Sequence, residues 1–281
     1  MTIAEALGHG AEILSAAVIP DPAREANSLL QFAIARDRAY IIAHPEYQLT
    51  EDEAELFRNA LARRAAREPF QRIVGRQEFY GLDFIVTPDV LIPRPETELI
   101  VERATELLPS LASTRFLEIG IGSGCISVAI LKHCSKATAV AVDISEPAIE
   151  VARQNAAMHR VGDRLEILLS DVYKDVPAEK FDLIVSNPPY VPISEYAHLQ
   201  PEVRDHDPKV AVTDGSTGLT IIERIVAGAP GYLLPRGRLL MEIGYGQHDQ
   251  VKALFDTEHW TSAAFLHDLQ GIPRTIDAEA A

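Results

Sequence analysis

The sequence predicts an α/β protein with a small helical domain before the sheet, and three observations lead to that fold class. Apolar residues recur at intervals of three and four over residues 1–70, a spacing typical of helices. Short apolar runs rich in β-branched residues, separated by helical patterns, follow from residue 116 onward. Glycines or polar residues stand directly after four of these runs, where open α/β sheets bind their ligands.

The first 108 residues contain the predicted helical domain, a hairpin and one further helix. Thr50, followed by three acidic residues, is typical of a capped helix start. Residues 79–86 resemble a β-hairpin, and residues 96–108 show the spacing of an amphipathic helix. We therefore divide the chain into a helical domain at 1–70, a β-hairpin linker at 71–94 and an α/β domain at 95–281.

A glycine-rich turn follows the first predicted strand of the sheet, residues 116–119. The turn reads Gly120-Ile121-Gly122-Ser123-Gly124 and leads into a helical pattern that continues to Leu131. Glycine lets the backbone approach a ligand closely and a helix start presents unpaired N–H groups, so the segment can cradle a nucleotide. Its G-x-G-x-G spacing differs from the G-x-G-x-x-G of dinucleotide enzymes, and the same turn can serve packing alone.

Two aspartates follow the next two predicted strands. Residues 137–142 end at Asp143, about 20 positions after the glycines, where a ribose diol is held in comparable folds. Residues 165–169 are followed by Ser170, Asp171 and Val172. Each aspartate alone could instead cap a helix. Glycines, two aspartates and then an asparagine at successive strand ends nevertheless favour a ligand site.

The asparagine opens the tetrapeptide Asn187-Pro188-Pro189-Tyr190, directly after the apolar run 181–186. Proline cannot donate a hydrogen bond to a sheet, so the strand ends there. The side-chain oxygen of Asn187 and the carbonyls of Asn187 and Pro188 remain available as acceptors. Such acceptors suit a planar NH2 group with two hydrogens to donate, although the tetrapeptide alone could be a simple turn.

The remaining elements complete the predicted sheet. Prolines at 192, 201 and 208 mark a long connection after the tetrapeptide. A helix is predicted at about 217–229, and strands are predicted at 237–243, 263–266 and 274–276. Residues 277–281 resemble a frayed tail.

Together these motifs resemble the class I S-adenosylmethionine-dependent methyltransferases, whose fold is a Rossmann-like seven-stranded sheet. The tetrapeptide is similar to that of members which methylate planar amides or exocyclic amines. Residues 91–98, 202–204, 214–219 and 268–274 are similar to the HemK/PrmC family, and the resemblance extends from about Asp21 to Arg274. That family methylates the glutamine of the Gly-Gly-Gln motif in class I peptide chain release factors.

The resemblance implies a role for each domain and a place for each ligand. Residues 1–70 would recognise the substrate, and residues 95–281 would catalyse the transfer. S-adenosyl-L-methionine would lie over the glycine turn, with Asp143 on its ribose hydroxyls and Asp171 near its adenine amino group. The implied cofactor-binding residues are Glu118, Gly120, Ile121, Gly122, Ser123, Gly124, Asp143, Ile144, Asp171, Val172 and Asn187.

The resemblance also implies the residues that act on the substrate. The implied catalytic residues are Asn187, Pro188, Pro189 and Tyr190, which would bind the substrate together with Arg94 and Glu96; no metal is expected. A purely structural role for the turn around Arg94 is the alternative. Glu118 departs from the aspartate common in the family, and Val172 is smaller than the residue that some members place against adenine.

The net charge of −15 opposes a nucleic-acid adenine methyltransferase, the competitor that the tetrapeptide raises. The first 80 residues hold 9 basic and 12 acidic side chains, and the remainder holds 17 and 29. Neither part supplies a surface of Lys and Arg for phosphates, and no insertion is long enough for a DNA-recognition domain. One local cluster forms either a solvated helix face or a contact surface for an acidic protein or the release factor: Arg58, Arg63, Arg64, Arg67, Arg72 and Arg76.

We expect a cytoplasmic monomer that binds no membrane. Glu5 and Glu12 interrupt the first residues and no Lys or Arg precedes Arg24, unlike a secretory signal. No apolar run approaches the roughly 18 residues of a membrane span, and Cys125 and Cys134 lack metal or redox spacing. The nearest alternative function is glutamine methylation of a ribosomal protein. A non-enzymatic binding module would require a broken cofactor or tetrapeptide site, and the sequence keeps both.

Overall fold

The computed structural model describes residues 1–108 and 113–281, which form two compact units. The helical unit comprises Met1–Gly75 together with Gln200–His206. The α/β unit comprises Arg76–Leu199 and Asp207–Ala281. The chain therefore passes between the units three times, and the short segment at Gln200–His206 is a part of the helical unit that sequence analysis did not assign to it.

The helical unit is built from five consecutive helices and one short helix, Pro201–Arg204. The five are α1 (Ile3–Ala16), α2 (Pro22–Ile34), α3 (Arg38–Ala43), α4 (Glu51–Ala65) and α5 (Phe70–Val74). The capped start predicted at Thr50 is confirmed, because its side chain accepts from the Glu53 N–H and the Glu53 carboxylate accepts from the Thr50 N–H. Leu29, Phe57 and Leu61 are buried in the core between α1, α2 and α4.

The predicted arginine cluster is mostly neutralised inside the helical unit. Arg64 is buried and donates to the carboxylates of Glu25 (2.9 Å) and Glu202 (3.1 Å). Arg67 donates to the other oxygen of Glu202 (2.8 Å), and Arg72 is also buried. Both sequence interpretations, a solvated face and a contact surface, are therefore wrong for Arg64 and Arg72. The error arose because Glu202 lies 138 residues beyond Arg64 in the chain.

The α/β unit begins with the predicted hairpin, which is confirmed as the antiparallel pair β1 (Arg76–Phe79) and β2 (Leu82–Ile85) but starts three residues before the predicted 79–86. Residues 71–75 of the predicted linker belong instead to the helical unit, because α5 extends to Val74. The strands that follow are β3 (Arg115–Ile119), β4 (Thr138–Asp143), β5 (Leu165–Leu169), β6 (Phe181–Ser186), β7 (Leu233–Glu242), β8 (Trp260–His267) and β9 (Pro273–Ala280). The helices after the hairpin, in chain order, are α6 (Glu98–Leu107), α7 (Cys125–His133), α8 (Glu146–Met158), α9 (Ile193–Tyr196), α10 (Pro201–Arg204, in the helical unit), α11 (Lys209–Val212), α12 (Thr220–Tyr232) and α13 (His248–Lys252), with 3-10 turns at Pro95–Thr97 and Gly162–Arg164. Among residues 1–108 and 113–281, no helix has the length and apolar character to cross a membrane.

Seven strands form one sheet in the order β5-β4-β3-β6-β7-β9-β8, which confirms the predicted seven-stranded sheet. The first five in this order are parallel, and β9 is antiparallel to both of its neighbours. Alternate residues of β3 point to opposite faces, since Phe116 packs with α6 to α8 and Leu117 packs with α12. A sheet covered on both faces requires continuous apolar strands, which explains the runs seen in the sequence.

The predicted frayed tail at 277–281 is wrong, because β9 continues to Ala280 between β7 and β8. Asp277 is only 4% exposed, and its carboxylate accepts from Arg103 (2.8 Å) and Arg238 (2.6 Å). Arg103 lies on α6, 174 residues earlier. A polar sequence near the chain end therefore forms a strand inside the sheet, because arginines distant in sequence neutralise its carboxylate. Local sequence patterns do not show these contacts.

We predict that Asp277→Ala lowers the free energy of unfolding by about 3 kcal/mol, because it leaves two partly buried arginines without their shared carboxylate. Urea unfolding measures the change. Glu258→Ala, an exposed acidic residue before β8, is the matched control and should stay within about 0.5 kcal/mol of the parent. An effect of Asp277→Ala no larger than that of the control would contradict the buried network.

Candidate active site

A cavity of about 250 Å³ lies at the carboxyl ends of β3, β4, β5 and β6. These ends meet because the strands are parallel and adjacent, as expected from their polar termini. The predicted site residues that line the cavity are Arg94, Glu118, Gly120, Ile121, Gly122, Ser123, Asp143, Ile144, Asp171, Val172, Asn187 and Pro189. Glu96, Gly124, Pro188 and Tyr190 are not among the lining residues.

Glycine is required at different positions of the turn after β3 for different structural reasons. Gly120 and Gly122 have φ values of 77° and 52°, the left-handed region that favours glycine. No atom lies within 4 Å of the place where a Cβ would stand at either residue, so both border open space. Gly124 instead precedes α7, where a Cβ would stand 3.3 Å from that of Ala152. It therefore serves the packing of α7 against α8.

Asp143, the last residue of β4, joins two loops of the site. Its carboxylate accepts from the Gly122 N–H (2.9 Å) and from the Ser145 N–H (2.9 Å). Burial raises the pKa of Asp143, and these backbone hydrogen bonds lower it. The N-cap of α8 is Ser145, whose hydroxyl accepts from the Ala148 N–H. The alternative interpretation of Asp143 as a helix cap is therefore wrong.

Asp171 follows β5 and lies at the wall of the cavity. One carboxylate oxygen accepts from Arg224 of α12 at 2.9 Å, and both side chains are about half exposed. The residues after Asp171 form turns, with Val172 at a φ of 56°. Because no helix starts there, the helix-cap alternative is wrong for this aspartate as well.

Asn187 is held by a chain of two hydrogen bonds through Thr97 and Glu242, which sequence analysis missed. Its Nδ2 donates to Thr97 Oγ1 (3.0 Å), and Thr97 Oγ1 donates to Glu242 Oε2 (2.6 Å). Glu242 ends β7, so the signal that identified Asn187, a polar residue closing an apolar strand, also applied to it. Thr97 carried no comparable signal.

The other residues of the tetrapeptide are fixed by neighbours on the same sheet edge. Tyr190 donates from its hydroxyl to Glu242 Oε1 (3.0 Å), and its carbonyl accepts from Gln247 Nε2 (2.9 Å). Pro188 is buried. Gly218 must be glycine because a Cβ there would collide with the Tyr190 carbonyl.

Arg94 connects the cavity wall to the segment that re-enters the α/β unit. Its guanidinium donates to the buried carboxylate of Asp207 at 2.6 Å. The next three residues, Pro95–Thr97, form a 3-10 turn. Arg94 thus both lines the cavity and has a structural partner.

Glu118 is buried in β3 and accepts from both the N–H and the hydroxyl of Ser127 on α7. Burial raises the pKa of its carboxyl to about 8, although the Ser127 hydrogen bonds act in the opposite sense. Within the described parts of the chain, no three His, Cys, Asp or Glu side chains are arranged to hold a metal ion.

The sheet order and the cavity at its carboxyl edge define a methyltransferase of the class I fold. The family described as "Methyltransferase small domain" matches residues 97–200. A methyltransferase from Pyrococcus furiosus superposes with a TM-score of 0.54 at 18% identity, covering 79% of this chain and 98% of that one. The 16S rRNA N2 G1207 methyltransferase RsmC of T. thermophilus, in complex with AdoMet and guanosine, gives 0.54 at 17% identity over 73% and 50% of the two chains. These structural likenesses support the fold alone.

Sequence relatives identify the family. The "PrmC N-terminal domain" family matches residues 5–75. The release factor glutamine methyltransferase of Koribacter versatilis is 42% identical over 98% of both chains, and that of Cereibacter sphaeroides is 43% identical over 99% of this chain and 98% of its own. The chain belongs to the release factor glutamine methyltransferase family.

We predict that stability falls as the pH rises from about 4.5 to about 8, because Glu118 is protonated in the folded protein and ionised in the unfolded chain over that window. One such group removes about 1.4 kcal/mol from the free energy of unfolding per pH unit until the folded carboxyl also ionises. Glu118→Gln stays neutral and can still accept from Ser127, so its stability should depend less on pH.

Urea unfolding of both proteins from about pH 5 to about pH 9 measures the two slopes. The variant should keep a smaller slope of the same sign, since burial also raises the pKa of Glu242, to about 7. Equal slopes in both proteins would contradict the assignment to Glu118.

Proposed function

We propose that the protein transfers a methyl group from S-adenosyl-L-methionine to the side-chain amide nitrogen, N5, of the glutamine in the Gly-Gly-Gln motif of class I peptide chain release factors. The observation that carries this function is the Asn-Pro-Pro-Tyr tetrapeptide at the end of β6, beside the cavity, in a chain 42% identical over 98% of its length to a release factor glutamine methyltransferase.

The cavity fits S-adenosyl-L-methionine in space and in charge. Gly120 and Gly122 leave open space beside the backbone, as the close approach of a ligand requires. The described lining residues include four aspartates, Asp89, Asp143, Asp171 and Asp214, and one guanidinium, Arg94, besides Glu118, which burial keeps protonated near neutral pH. An acidic lining suits a cationic sulfonium compound.

The residues at the strand ends would bind different parts of the cofactor. Asp143 would hold the ribose hydroxyls; its carboxylate lines the cavity and is fixed by two backbone N–H groups. Ile144 and Val172, which also line the cavity, would contact the adenine, and Asp171 would accept from its amino group. Bound S-adenosyl-L-methionine supplies an electrophilic methyl group on its sulfonium.

The tetrapeptide positions the glutamine amide for attack. An amide nitrogen is a poor nucleophile because its lone pair is delocalised into the carbonyl. The Asn187 side-chain oxygen and the Pro188 carbonyl accept the two N–H groups, which turns the nitrogen lone pair toward the methyl group. Such orientation supplies up to about 7–11 kcal/mol, whereas each neutral hydrogen bond contributes only about 0.5–1.5 kcal/mol to binding.

Methyl transfer forms the N–CH3 bond as the S–CH3 bond breaks, and the bonding electrons stay on sulfur. The nitrogen is then cationic and strongly acidic, so its proton leaves to water. No histidine or cysteine is needed as a nucleophile. Tyr190 ends the tetrapeptide, where its hydroxyl donates to Glu242 and its carbonyl accepts from Gln247.

The helical unit recognises the release factor in this proposal. Its match to the PrmC N-terminal domain over residues 5–75 supports that division of labour. Because release factors work in translation, we place the protein in the cytoplasm. We further propose that it acts as a monomer.

Incubation with labelled S-adenosyl-L-methionine and a recombinant class I release factor tests the proposal directly. Peptide mass mapping should find one added methyl on the Gly-Gly-Gln glutamine, and the Gln→Ala factor should accept none. Absence of transfer by protein that binds the cofactor would contradict this substrate, and transfer to a ribosomal protein instead would identify the alternative.

We predict that Asn187→Ala leaves the Kd for S-adenosyl-L-methionine within about threefold and lowers the rate of transfer by at least roughly 10²-fold, since an oriented acceptor at the reacting group is lost. Calorimetry gives the Kd and labelled transfer gives kcat. Retained transfer would remove Asn187 from its assigned role.

We predict that Asp143→Ala raises the Kd for S-adenosyl-L-methionine at least about tenfold, because it removes the ribose acceptor and the anchor of the Gly122 N–H. Asp163→Ala, at an exposed aspartate outside the cavity lining, is the matched control. Equal affinities of the two variants would contradict the placement of the ribose.

A further inference from the structure

Glu242 is a buried carboxylate to which the mechanism above gives no part in orienting the substrate. It is 2% exposed at the end of β7, and each of its oxygens accepts from one hydroxyl. Oε2 accepts from Thr97 (2.6 Å) and Oε1 accepts from Tyr190 (3.0 Å). Removing a carboxylate from water costs free energy even when hydrogen bonds offset part of that cost. Its position beside the tetrapeptide therefore indicates a role for these hydrogen bonds.

The hydroxyl of Thr97 has one proton, and that proton is committed to Glu242. Toward Asn187, Thr97 Oγ1 can therefore act only as an acceptor. The Asn187 side chain must offer it an N–H, as the 3.0 Å contact from Nδ2 shows. The amide oxygen then lies on the opposite branch of the side chain, away from Thr97 and available as an acceptor.

We propose that Glu242 and Thr97 are positioning residues, which fix the Asn187 side-chain amide in the one orientation that presents its oxygen to the substrate, while Glu242 also fixes Tyr190 at the other end of the tetrapeptide. The consequence for catalysis rests on the proposed function, because a glutamine NH2 group needs an acceptor. In the opposite orientation, Asn187 would present its own NH2 group to the substrate.

An ionised Glu242 has no proton to donate to Thr97, so it fixes the direction of the hydrogen-bond relay that runs from Asn187 through Thr97 to Glu242. Burial is the main cause that raises the pKa of this carboxyl to about 7; nearby Glu96 acts in the same direction, whereas hydrogen bonds from Thr97 and Tyr190 and the charge of Arg274 act against it. Assays near pH 9 therefore keep Glu242 ionised.

Three substitutions separate the relay from simple packing. Thr97→Val keeps the shape of the side chain and removes the acceptor for Asn187. Thr97→Ser keeps the hydroxyl. Glu242→Gln keeps the shape but offers one acceptor and one donor, so it cannot accept from both Thr97 and Tyr190.

Thr275→Val is the matched control. Thr275 lies directly opposite Glu242 in the β7/β9 ladder and is fully buried. Its hydroxyl has no hydrogen-bond partner among the described residues, so the same Thr→Val change removes no polar contact there.

Kinetics with a release factor form the first measurement. Thr97→Val and Glu242→Gln should lower kcat at least about tenfold with the Kd for S-adenosyl-L-methionine within about threefold of the parent, because they misorient an acceptor and remove no group assigned to the cofactor. Thr97→Ser and Thr275→Val should stay within about threefold of the parent. Parental kcat in Thr97→Val, or an equal loss in Thr275→Val, would overturn the relay.

Nuclear magnetic resonance of the side-chain amide gives a second measurement that needs no substrate. The Asn187 NH2 signals, assigned by their disappearance in Asn187→Ala, should shift and exchange faster in Thr97→Val and Glu242→Gln but not in Thr275→Val. Unchanged signals in the first two variants would overturn the relay. If the parent protein fails to methylate a release factor while the amide responds as expected, the proposed function fails and the relay stands.

Discussion

The parallel pairing of β3 with β4 and β6 is the constraint on which the site depends. Ile119 pairs with Val142 on one side and with Ser186 on the other. The next residues along each strand, Gly120, Asp143 and Asn187, are therefore brought to one edge although they are distant in sequence. A slip of one residue in either pairing would turn the following side chain to the opposite face of the sheet.

The site combines this backbone frame with several carboxyl groups in apolar surroundings. Glu118 and Glu242 are both buried, and burial raises the pKa of each carboxyl. Each is nevertheless satisfied by hydroxyl or backbone donors, which restrict it to one geometry. Burial of these carboxyl groups lowers the stability of the protein, but their hydrogen bonds hold the neighbouring polar atoms in fixed positions.

Sequence patterns predicted the parts of the structure that are encoded locally. The strands at 165–169 and 181–186 have the predicted bounds, because turn residues limit each apolar run. The glycine turn and Asn187 were found because they follow such runs directly. Patterning missed the Thr97 and Glu242 contacts, the extent of β9 and the burial of Arg64. Each of these involves at least one contact between residues 90 to 174 positions apart in the chain, which local periodicity cannot reveal.

The membership of Gln200–His206 in the helical unit has an evolutionary consequence. Glu202 in this segment binds Arg64 and Arg67, so the N-terminal helices depend on a stretch that is encoded between two parts of the α/β unit. Recombination at the single junction near residue 75 would separate these partners and leave Glu202 facing arginines from a different ancestor. Exchange of the helical unit as one continuous segment is therefore constrained, because seven of its residues, 200–206, lie far from the boundary near residue 75.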